Sequence, residues 1–388
     1  MIYTAKKDVS SACKIVAEDM LLTTDMPTAA GSKMLDGYMS LLEAEALTRL
    51  KNKGYGVCGK ADVGEFAIDL LGETSYNGAN TKDGKLLNSS AEILKANEAD
   101  AAVALDVNGA PRRAAAQNGL VSVKPTYGTV SRYGTVPVAC SGETVSVMAK
   151  DAKMCRKVLD DIAGHDDKDG TSLPESEIAK KADAKEIKRI AIINDMMSDV
   201  SDDVKANIDS AVAKLGVEAV NIDSSVIASS RPAWNILMSA ELCNNVSRYD
   251  GVKYGHRAEK FSGIDELYTN SRTEAFGELL KTAIIFGSET LSTENYMKVY
   301  DKALRTRRVI VEEFAKIFAE FDAVMIPACS KAFYTEDDVK ADKYISYKEN
   351  FYTAPASITG LPAVVADGVQ LIGKAFSENA LLELVSKL

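Results

Sequence analysis

Short apolar runs and amphipathic stretches take turns along most of this chain, and that alternation narrows the fold more than any other feature. AAVALD at 101–106 is apolar up to Asp106 and too short for a buried helix, so it predicts a strand covered on both faces. RIAIIND at 189–195 reads the same way. The stretch 202–215 then places Val204, Ile208, Ala211 and Leu215 at helical spacing with Gly216 behind it as a stop, and VEAVNID at 217–223 supplies the next strand. Upstream, Leu42, Ala46 and Leu50 predict a helix over 39–53 ending at Gly54, followed by a strand in YGVCGK at 55–60. Parallel strands need crossover connections, which such alternation provides, so the pattern predicts an α/β fold with a largely parallel sheet covered by helices.

Smaller signals set the boundaries. In ADVGEFAIDLL at 61–71, Asp62 and Glu65 predict a helix-starting cap, and Ser89 with Glu92 forms the S-x-x-E pattern of a capping box. From 233 to about 320 the pattern is mainly helical, FDAVMIPAC at 321–329 returns to a strand, and Ser377 is placed to cap a last helix. The polar stretch 164–188 reads as a surface connection within one unit. The organisation expected is a single domain over 1–388 with a helical insertion at about 233–320.

Composition excludes several function classes. The 388 residues carry a net charge of −10, which disfavours direct nucleic-acid binding, because phosphate recognition draws on clustered Lys and Arg. No run of 18 apolar residues occurs and the opening MIYTAKKDVSS is polar, so neither a membrane span nor a secretory leader is expected, and the cytoplasm is the expected location. Six cysteines without a CxxC pair and two distant histidines, His165 and His256, predict no disulfide framework, no metal site and no cofactor.

Six stretches recur in a familiar order: MPTAAGSKML at 26–35, GKADVGEFA at 59–67, KPTYGTVSRYG at 124–134, IAGHDDKDGTS at 162–172, RYDGVKYGHRAE at 248–259 and GVQLIGKAF at 368–376. Together they make the chain resemble the amidase-signature family, nearest to the branch that contains the A subunits of glutamyl-tRNA(Gln) amidotransferases. The resemblance implies a central mixed, mostly parallel sheet covered by helices. It also implies a trimmed form, without the family's N-terminal helical segment and with a shortened loop at Ala366–Asp367.

Family chemistry uses a lysine acting through a bridging serine on a nucleophilic serine. Matching the family's GVKDNI to VAEDML at 16–21 puts Glu18 at the lysine position, which reverses the charge beside a developing oxyanion. The glycine-rich GGSSGGS loop corresponds to LNSSAEI at 87–93, leaving Ser89 or Ser90 as the bridging hydroxyl. In DVNGAPR at 106–112, against the family's SDTGGSIR, Ala110 falls at the nucleophile, and Val107, Asn108 and Gly109 form what remains of the oxyanion loop. The residues that would grip substrate are Arg307 and Asn350, the latter in place of an aspartate. With three roles changed at once, the resemblance implies a binding, regulatory or assembly protein without the catalytic triad. Its expected partners are amidotransferase-like subunits or a second copy, and its ligand a small amide or amino acid. The alternative is an active amidase or amidotransferase subunit with a relocated nucleophile, drawn from Ser89, Ser90 or Cys140 with Glu18 as base.

Overall fold

The computed structural model describes residues 1–180 and 185–388, so the polar connection expected at 164–188 lies partly outside the described residues. Among the described residues thirteen strands are formed: β1 (Tyr3–Lys6), β2 (Lys14–Glu18), β3 (Gly56–Ala61), β4 (Thr81–Lys82), β5 (Lys85–Leu86), β6 (Ala101–Asp106), β7 (Val121–Lys124), β8 (Thr144–Ala149), β9 (Arg189–Ile193), β10 (Glu218–Ile222), β11 (Ala323–Pro327), β12 (Ala363–Ala366) and β13 (Val369–Gly373). Eleven of them make one sheet in the order β1-β3-β2-β6-β8-β7-β12-β13-β11-β9-β10, while β4 and β5 form a small hairpin. Parallel ladders hold β3-β2-β6 on one side and β11-β9-β10 on the other, joined by antiparallel pairings through β8, β7, β12 and β13. This is the α/β architecture expected, a mixed sheet covered by helices.

The antiparallel middle has a local cause at β12–β13. Ala366 pairs with Val369, leaving Asp367 and Gly368 as a two-residue turn, both with positive φ (46° and 81°). That is the type I′ geometry that Asp-Gly favours, and it turns β12 straight back into β13. Core strands β6, β8 and β11 are buried at every position, as their apolar runs require.

Three local expectations are corrected. The helix expected over 39–53 is Glu45–Asn52, and Leu42 is 48% exposed. Ser40 is the reason: its Oγ accepts the Leu42 N–H at 3.1 Å, a turn bond that competes with helix. The helix Ser89–Lys95 is capped by Asn88, whose Oδ1 accepts the Ala91 N–H at 3.0 Å, while Glu92 pairs with Lys95 instead of reaching back. Asp62 and Glu65 start no α-helix; Asp62 accepts from Ser75 Oγ at 2.9 Å, and Glu65 opens a short 3₁₀ turn whose Phe66 has φ 51°.

Between β10 and β11 the chain is helical: Ser230–Val246, Ile264–Ala275, Glu278–Thr290, a π-turn at Tyr296–Tyr300 and Asp301–Glu320. Gly287 lets two of these helices approach closely, since a Cβ there would lie 2.0 Å from the Ser239 carbonyl oxygen. Among the described residues no helix is long and apolar enough to cross a membrane.

Candidate functional site

β6 ends at Asp106, and the turn Val107–Gly109 passes directly into the helix Ala110–Asn118, with Pro111 in its first turn. Gly109 carries φ 97°, and a Cβ there would meet Thr353 at 2.4 Å, so only glycine fits. Arg112, one turn on, clamps the strand end. Its Nε and Nη2 bind the two Asp106 oxygens at 2.8 and 2.9 Å, and its remaining donors reach Gln370 Oε1 (2.7 Å), Thr353 O (2.9 Å) and Ser357 Oγ (2.9 Å). The fork geometry of a guanidinium suits this, and both charges of the pair are fully buried.

Asn108 is equally committed. Its Oδ1 accepts from Trp234 Nε1 at 2.8 Å and its Nδ2 donates to Ile68 O at 2.8 Å. Its main-chain oxygen accepts from Asn350 Nδ2 at 2.9 Å and from Thr353 Oγ1 at 2.5 Å. The turn is therefore held by side chains from two distant helices and by the main chain of the loop after β3.

Ala110 faces a cavity of about 10 Å³, walled by Asp62, Asp69, Ser75, Asn80, Asn88 and Ser89 among others. That volume holds about one water molecule. Asp69 is saturated by main-chain donors from Leu71 (2.7 Å), Glu73 (2.6 Å) and Thr74 (3.0 Å). Asp62 has its carboxyl pushed up by burial, against the opposing hydrogen bonds of Ser75 and Asn77.

Glu18 ends β2, which pairs directly with β6, and is 1% exposed. Burial pushes its carboxyl up to about 8; the Leu105 N–H it accepts at 2.9 Å opposes the rise, and the nearby Asp106 and Asp19 add to it. A carboxyl raised to that value keeps its proton at neutral pH. Ser90 is buried, and its Oγ has no partner among the described residues. The half-buried Cys140 thiol is pushed up by burial, away from the thiolate form.

The structure thus brings Ala110, Ser89, Asn108 and Asn350 together, and places Glu18 on the adjacent strand. Arg307 is engaged elsewhere. From the helix Asp301–Glu320 it donates to Ser141 O at 3.0 Å and Ser141 Oγ at 3.4 Å, and Ser141 in turn gives its N–H and hydroxyl to the Glu241 carboxylate. Sequence reading missed Asp69, Trp234 and Thr353 as site residues. Asp69 lies just beyond GKADVGEFA, which was a usable signal; Trp234 and Thr353 reach the turn only through tertiary packing.

The chain matches the amidase family model over residues 14–382. It belongs to the amidase-signature family. Relatives of this amidase-signature chain include the A subunit of glutamyl-tRNA(Gln) amidotransferase from Streptococcus pneumoniae serotype 19F, 33% identical over 97% of this chain and 82% of the relative. The corresponding protein of Caldanaerobacter subterraneus is 32% identical over 99% and 83%. Among solved structures, the A subunit of the Thermotoga maritima glutamyl-tRNA(Gln) amidotransferase superposes with a TM-score of 0.80 at 23% identity, covering 99% of this chain and 86% of that one. An allophanate hydrolase of Kluyveromyces lactis gives 0.80 at 20% identity, over 97% and 61%. These two structures share the fold.

Proposed function

We propose that this chain is an amidase-signature protein, similar to the amidotransferase A subunits, that has left amide hydrolysis and serves in binding, regulation or assembly. The observation that carries the reading is the surroundings of Ala110. A methyl group stands at the head of the helix where the family places its nucleophile, in a turn whose polar side chains are all bonded, facing space for about one water. The other two roles weaken with it. Glu18 carries a proton at neutral pH, and Ser89 sits in the first turn of a helix capped by Asn88.

The relatives bear the name of an amidotransferase subunit, which supports a protein partner of that kind; a second copy of this chain is the other partner proposed, and the cytoplasm the location. A small amide or amino acid is the ligand class that the family position favours. Arg307, held on Ser141, and Asn350, held on Asn108, are the residues that would have to be released to meet it. The helical segment at about 233–320 is read as an insertion into a single domain. One observation favours the second reading, an amidase with a relocated nucleophile: the residue Ser89 lines the same cavity as Ala110.

A fluorophosphonate probe on the purified chain separates the two. The expected result is no stoichiometric labelling of any serine; one fully labelled serine, protected by a small amide, overturns the proposal.

A further inference from the structure

Three of the six recurrent stretches meet one another at a single joint away from Ala110. Gly277 is the N-cap of the helix Glu278–Thr290, and Phe276 closes the helix Ile264–Ala275. At the corner between them the Gly277 N–H donates to Glu65 Oε2 at 2.8 Å, and a Cβ on Gly277 would stand 2.7 Å from that oxygen. Glu65 Oε1 lies 2.6 Å from Ser32 Oγ, which itself lies 3.3 Å from the Ala275 carbonyl oxygen. Phe66 packs on Phe276 and Tyr249 with ring centroids 6.3 and 5.7 Å apart, and His256 N–H donates to Met34 O at 2.8 Å. GSKML, GKADVGEFA and RYDGVKYGHRAE thus converge on one corner of the helical segment.

The joint is strained. Ala30, Phe66 and Ala67 have φ of 53°, 51° and 54°, and the Phe66 N–H is bonded to Ala30 O. Left-handed backbone at residues with a Cβ is disfavoured sterically and gathers at switch regions. Gly64, next to Glu65, is part of the wall of the Ala110 cavity.

We infer that Glu65 is a proton-operated latch, pinning the corner between the helices Ile264–Ala275 and Glu278–Thr290 to the cavity wall and releasing it when the proton leaves. With the proton on Oε1, the acid donates to Ser32 Oγ, whose own hydrogen then satisfies Ala275 O. Once the proton is lost, the single Ser32 hydrogen cannot serve both the carboxylate and that carbonyl, and a full charge is left in a site that is 3% exposed. Burial accordingly pushes the carboxyl up to about 7, against Ser32, Gly277 and the charge of Lys281, which all lower it.

The other charged groups around the joint are already engaged. Lys281 donates to Thr273 O at 2.8 Å, Glu278 pairs with Lys343 at 2.8 Å, and Glu274 pairs with His256 at 2.7 Å. Arg272 donates to Tyr249 O at 3.1 Å, and Lys33 is exposed. On the Glu65 side, Asp62 is bonded to Ser75, Asp69 to main-chain N–H groups, and Glu73 is held up at about 8 by burial and then by Asp69.

The latch stands whether or not the chain is an enzyme, and amide hydrogen exchange on the full chain tests it. A carboxyl at about 7 when closed and at the ordinary 4.5 when open predicts that local opening at residues 276–281, corrected for intrinsic exchange, rises about tenfold from pH 6 to pH 8. Glu65→Gln, which keeps an acceptor for Gly277 and a donor for Ser32, should be flat across that range, and His256→Gln should keep the rise. A wild-type profile that is flat, or a rise shared equally by the helix Asp202–Leu215, overturns the latch even if the variants fail to fold. So does a Glu65→Gln profile that rises like the wild type.

Discussion

Glu18 shows how much one side chain can say about a site. Its carboxyl is pushed from 4.5 to about 8 by burial at the end of a central strand, so the folded state holds a proton that the unfolded chain releases. The stability it contributes is fully present below pH 4.5 and is lost as pH rises through 8. Glu18→Gln should remove that loss, flattening the fall in unfolding free energy between pH 5 and pH 8 by roughly 3–5 kcal/mol, as read by urea titration at each pH. An unchanged pH profile would mean that Glu18 titrates normally. At this scale the sequence was partly legible. Ala110 and Asn108 are neighbours in DVNGAPR, whereas Asn350 reaches Asn108 only through the packing of the helix Ile345–Thr359. The cap at Asn88 was hidden because Ser89, one residue on, offers the same chemistry, and Arg307 was hidden because its partners Ser141 and Glu241 arrive from distant parts of the chain.

Elements were the most legible level where a pattern was long or a turn residue unambiguous. The strand Ala101–Asp106 and the helix Asp202–Leu215 with Gly216 behind it match their expected bounds. Where a side chain bonds locally, as Ser40 does, hydrophobic spacing overran the true start of a helix. The hairpin β12–β13 rests on Asp367-Gly368, and Gly368 combines φ 81° with a site where a Cβ would stand 2.7 Å from Asn207 Nδ2. Gly368→Ala should therefore cost about 1–2 kcal/mol in chemical denaturation, whereas no loss would show that the turn relaxes freely.

For the whole molecule, the sequence disclosed strands and helices but not their neighbours. Strand order and the antiparallel middle follow from which strands the turns and tertiary contacts bring side by side, and periodicity does not record that. The same holds for the site. Asp106 and Arg112 fix the strand end, the helical segment supplies Trp234, and the helix Ile345–Thr359 supplies Asn350 and Thr353, so the frame around Ala110 is built by the entire chain. On the proposed reading, this frame around an alanine serves for holding and not for hydrolysis. Ammonia release from glutamine and simple primary amides by the purified chain, beside its Ala110→Ser variant, tests this most directly. Neither protein should exceed the buffer rate, because Glu18 is protonated and the cavity admits about one water. Turnover by the wild type that is abolished by Glu18→Gln or Ser89→Ala, or turnover created by Ala110→Ser alone, would contradict it.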